Sequence, residues 1–80
     1  MTGTRRLAVP EPATVLTGPG GRPLVVDYHE VISVRESWLV EDRWWTDRPI
    51  RRRYWEVVTA CGRDVTVFRD LEGGPWFTQR

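Results

Sequence analysis

From residue 13 onward, apolar residues recur in short β-branched runs broken by glycine, proline and aspartate. Residues 13–17 (ATVLT) and 23–28 (PLVVDY) flank Gly18-Pro19-Gly20-Gly21. Glycine reaches positive φ without a Cβ clash, so this run predicts a turn and the flanking runs a hairpin. His29 and Glu30 then read as a tight connection. In residues 31–40 (VISVRESWLV), strand alternation sets Ile32, Val34, Trp38 and Val40 on one face as core. A helix would align Val31, Val34 and Trp38 instead. The β-branched content and the lack of a clear N-cap favour the strand.

Residues 41–49 (EDRWWTDRP) interrupt the alternation. Asp47 and Pro49 form turns, and Arg48 before proline is pushed to an extended shape. Trp44 and Trp45 are adjacent, so in an extended backbone their rings leave on opposite sides. One then caps the core and the other is a contact residue, unless both fold back as edge cover.

Residues 51–60 (RRRYWEVVTA) form the clearest strand. Trp55 and Val57 lie on one face; Tyr54, Glu56 and Val58 lie on the other. Large apolar groups on both faces suit a central strand. Turns at residues 61–64 (CGRD) and 71–74 (LEGG) lead into residues 64–70 (DVTVFRD) and 75–80 (PWFTQR), which gives two hairpins from Arg51 onward. Pro75 at the start of the last run costs no ladder bond.

This pattern predicts an all-β fold, a small antiparallel barrel or strongly curled sheet of five to six strands and SH3-like size. Residues 1–12 read as a disordered tail, and residues 13–80 as a single domain.

A chain of 80 residues buries only roughly 60% of its unfolded surface. The five tryptophans compensate, since each buried aromatic removes roughly 150–250 Å² from water. Twelve basic and eleven acidic residues leave a net charge of +1, so any basic face is local. Every basic side chain other than His29 is arginine. Its fork suits carboxylates and phosphates, although GC-rich codon usage gives the same composition.

A lone Cys61 excludes an intramolecular disulfide and a cysteine-based metal site, and it fits a cytoplasmic protein. No apolar run approaches the ~20 residues of a membrane span, and the first residues do not read as a signal peptide. No metal, cofactor or membrane partner is expected. The glycine run lacks the Lys-Ser or Lys-Thr of a phosphate loop. His29 has no second ligand nearby in sequence, and Ser33 and Ser37 have no other base to call on. Glu41, Asp42 and Asp47 read as solvated, or paired with Arg43 and Arg48. With no catalytic constellation in view, the chain is not expected to be an enzyme.

What remains is the stretch 38–55, which holds four of the five tryptophans and five arginines. Alternation along Arg51-Arg52-Arg53 puts two guanidinium groups on one face. The candidate contact residues are Trp44, Trp45, Arg43, Arg48, Arg51 and Arg53. Three readings stand: protein docking, contact with single-stranded nucleic acid through stacking and phosphate pairing, or an edge guarded by charge.

Gly21-Arg22-Pro23, Trp38, Trp44-Trp45, Arg53-Tyr54, Val57, Gly62, Phe68-Arg69-Asp70, Gly74 and Trp76 occur in an order that resembles a small bacterial domain of unknown function. That domain accompanies, or is fused to, ImuB-like Y-family translesion DNA polymerases, often in actinobacteria. The resemblance covers residues 13–80, with a shorter stretch between Pro23 and Trp38. It implies an accessory role beside a Y-family polymerase or another mutasome component in DNA damage tolerance, and it brings no catalytic residues.

Overall fold

The computed structural model describes residues 10–42, 45, 47 and 49–79. It is all-β. Among the described residues seven strands run in chain order: β1 (Glu11–Ala13), β2 (Val15–Thr17), β3 (Pro23–Val26), β4 (His29–Asp42), β5 (Ile50–Thr59), β6 (Asp64–Asp70) and β7 (Trp76–Gln79). A single 3-10 turn, Pro19–Gly21, joins β2 to β3. All pairings are antiparallel, in the order β1-β7-β6-β5-β4-β3-β2. The two outermost strands, β1 and β2, are separated only by Thr14, so one kinked run supplies both edges. The sheet is thereby a nearly closed barrel.

The strand count exceeds the expected five to six because the first run is longer than expected and splits at Thr14. Glu11 and Pro12, assigned by sequence to the tail, are strand and pair with Thr78 and Phe77. Proline is tolerated there because β1 lies at the end of the strand order. Residues 1–9 of the expected tail lie outside the described residues.

The turn expected at His29 and Glu30 falls two residues earlier. Val26 pairs with His29, and the loop residues Asp27 and Tyr28 have φ of 48° and 72°. Positive φ at both positions is the type I′ signature, whose twist matches that of the flanking strands. Aspartate tolerates this region; tyrosine rarely adopts it, which is why the sequence did not mark the turn.

From Arg51 onward the expected hairpins are present, with β5 central and paired to β4 and β6. Strand β4 is also formed as expected, but its residues divide between the faces differently from the expected alternation. The register slips between Val31 and Ser33 and again between Val34 and Glu36. Each bulge inserts one residue and reverses the alternation. Val31 and Val34 therefore share a face with Thr59 and Val57, whereas Trp38 and Val40 share the other with Tyr54 and Arg52. Ile32, expected in the core, is 60% exposed.

Directly paired residues share a face, so the register defines two faces. A valine face carries Val34, Val57, Val65, Val67 and Thr78. Val57 and Val67 are fully buried there, as is Thr59 nearby, and Val26 of β3 is buried. The opposite, aromatic face carries Trp38, Tyr54, Phe68 and Phe77, one from each of four adjacent strands. Successive ring centroids are 5.4, 4.9 and 5.2 Å apart. Phe68 sits in the middle and is buried. Stacked and tilted pairs at this spacing contribute about 0.5–1.5 kcal/mol each beyond burial. Neither face holds a buried side-chain polar atom without a partner, among the described residues.

Candidate binding site

The arginine triplet at the start of β5 is divided by strand alternation. Arg52 lies on the aromatic face. Its guanidinium carbon stands 4.7 Å above the Phe68 ring, and its Nη1 donates to the Tyr54 hydroxyl at 3.5 Å. This arginine is part of the packing. Arg51 and Arg53 emerge on the valine face, toward one mouth of the barrel.

Register builds that mouth in rows. On the rim, Glu41 faces Arg51. The next row runs Leu39, Arg53, Arg69, Trp76 across β4, β5, β6 and β7. The row below runs Ser37, Trp55, Val67, Thr78. Beneath it lie Val34, Val57 and Val65 of the core. Gly20 and Gly21 of the 3-10 turn and Leu71 complete a cavity of about 300 Å³. Both tryptophans lining it are half-buried, while Leu39 and Leu71 are exposed.

The three arginines of the mouth differ electrostatically. Arg51 Nε donates to Glu41 Oε2 at 3.1 Å, and its Nη1 lies 3.6 Å from Glu72 Oε2. Its charge is thus offset by two carboxylates. Arg69 donates from Nε to the Gly74 carbonyl, a neutral acceptor, at 3.3 Å. Among the described residues neither Arg53 nor Arg69 is in an ion pair. They face each other directly across β5 and β6.

Of the expected contact residues, Arg51 and Arg53 therefore share one mouth. Trp45 is 66% exposed, in the β4–β5 connection. Arg43, Trp44 and Arg48 lie outside the described residues. Sequence reading missed Arg69, Trp76 and Trp55 as members of the site. Their signal was alternation: Trp55 and Arg53 are two apart on one strand, and Arg69 and Val67 are two apart on the next. Placing those strands in register needed the fold.

A second cavity, about 450 Å³, opens where the β3–β4 turn meets the β5–β6 connection, with Thr59, Cys61 and His29 among its lining. The Cys61 thiol is held below its ordinary pKa, chiefly by the Thr59 hydroxyl 3.1 Å away, with desolvation opposing. Among the described residues no group of three or more His, Cys, Asp or Glu is placed to hold a metal ion. No helix among them is long and apolar enough to cross a membrane.

No protein-family model, curated protein or solved structure matches the chain.

Proposed function

We propose that the chain is a non-catalytic docking domain that holds a protein partner at the Arg53–Arg69 mouth, with Trp45 in the β4–β5 connection adding to the contact. The observation that supports this is the convergence on one cavity of two exposed leucines, two half-buried indoles and two arginines that make no ion pair among the described residues. Tryptophan and arginine are the residues most enriched among those that carry binding energy at protein interfaces, and they act best beside apolar neighbours that exclude water. The role in error-prone translesion synthesis rests on the sequence resemblance alone. In that reading the partner is a Y-family polymerase or another mutasome component, and the domain works in the cytoplasm.

Single-stranded nucleic acid is the second reading, favoured by the indoles beside the guanidinium groups. Its affinity would fall steeply with salt.

The experiment is affinity capture with the wild-type chain and with Trp45→Ala and Arg53→Ala, followed by direct titration of the recovered protein. Both variants should melt close to wild type, because both side chains are exposed. Each should weaken binding about 10-fold or more. Unchanged binding by both variants would reject this face.

A further inference from the structure

We infer that the mouth receives the side-chain carboxylate of an internal acidic residue in an extended, otherwise apolar peptide segment, clamped between Arg53 and Arg69. This rests on the docking reading above and names the chemistry of the partner.

Two observations point to an anion. Arg53 and Arg69 are direct cross-strand partners. Like charges placed opposite one another across a ladder destabilise a sheet. Neither is in an ion pair among the described residues, so no described carboxylate neutralises them. Two guanidinium groups on neighbouring strands that line one cavity can each donate to one carboxylate, and such charge-assisted bonds are the strong ones.

The rim decides which anion. Glu41 and Glu72 flank Arg51 at the same mouth. A polyanionic strand threading past would meet both carboxylates, whereas a single carboxylate seated one row deeper meets only arginines. The net charge of +1 also denies a nucleic acid the long-range attraction that usually dominates its binding. Exposed Leu39 and Leu71 stand on the β4 side and at the end of β6, so apolar residues on both sides of the acid find contacts. That places the acid within a segment rather than at a chain terminus.

The test uses the full chain, 15N-labelled, and four probes. The first is a capped nonapeptide with one central glutamate flanked by leucines. The second carries glutamine instead. The third has no acidic side chain but a free C-terminal carboxylate. The fourth is an oligothymidylate. The glutamate peptide should shift the Arg53 and Arg69 Nε–H resonances. It should bind about 10-fold or more tightly than the glutamine peptide, the scale of a charge-assisted hydrogen bond. Arg53→Gln with Arg69→Gln, shown folded by circular dichroism, should erase that difference.

Equal binding of the glutamate and glutamine peptides, with Leu39 and Leu71 resonances shifted, would overturn the carboxylate clamp and leave the docking face standing. No shift at the mouth with any probe would overturn both. Equal or tighter binding of the free-terminus peptide would replace the side chain by a chain end. Tighter, salt-sensitive binding of the oligothymidylate would replace the peptide by nucleic acid.

Discussion

Thr14 and Asp27 are joined by two hydrogen bonds: Thr14 N–H donates to Asp27 Oδ1 at 2.8 Å, and Asp27 N–H donates to the Thr14 carbonyl at 2.8 Å. Thr14 is the kink between the two edge strands, and Asp27 is the first residue of the β3–β4 turn. The pair extends the β2–β3 ladder by one residue and holds the kink from which the run crosses to its pairing with β7.

Asp27→Ala should therefore cost more than an ordinary surface change. It removes the acceptor for Thr14 and puts alanine at a φ of 48°. Together these amount to about 1–3 kcal/mol. For a domain of this size that is a fall of about 4–8 °C in Tm per kcal/mol. Asp27→Asn keeps the acceptor and tolerates the backbone, so it should stay within about 0.5 kcal/mol of wild type. Urea and thermal melts of the two variants check this, and equal losses would refute the role given to the pair.

The aromatic face makes a graded prediction. Phe68 is buried at the centre of the four rings, whereas Trp38 ends the row and is 38% exposed. Phe68→Ala should cost about 3–5 kcal/mol, enough to unfold much of so small a domain. Phe68→Leu and Trp38→Ala should each cost clearly less and remain folded. A double-mutant cycle on Trp38 and Tyr54 should return a coupling of about 0.5–1.5 kcal/mol from their near-parallel stacking.

The mouth makes a prediction of opposite sign. Arg53→Glu converts a like-charge pair with Arg69 into an attractive one. Stability in low salt should rise by about 0.2–1 kcal/mol, while partner binding is lost. Chemical denaturation at low and high salt checks the gain, which screening should remove. A destabilised variant would show that Arg53 serves packing.

Cys61 carries a pH dependence. Its thiol is held below the ordinary value chiefly by the Thr59 hydroxyl. A depressed pKa in the folded state favours the thiolate there. Any stability it brings is present above the unfolded pKa and is lost as pH falls through the folded one. Alkylation by iodoacetamide should accelerate with pH at a lower midpoint in the folded chain than in urea. Thr59→Val should move that midpoint up; an unmoved midpoint would assign the shift to another group.

Local pattern determined much of this protein. Glycine turns and β-branched runs marked the hairpins from Arg51 onward, and alternation along Arg51-Arg52-Arg53 separated Arg52 from its neighbours before any fold was known. These features depend on residues close in sequence, where backbone geometry alone dictates direction. Tertiary structure decided the rest. Two bulges in β4 turned Ile32 outward and split Val34 from Trp38, because one inserted residue reverses every side chain beyond it. Pairing of β1 with β7 drew Glu11 and Pro12 out of the supposed tail. The union of Arg53 with Arg69 and Trp76 was likewise invisible along the chain, since it exists only once three strands lie in one register. Register is set by the summed burial of valines and aromatics across the whole sheet, and no local stretch of sequence contains that sum.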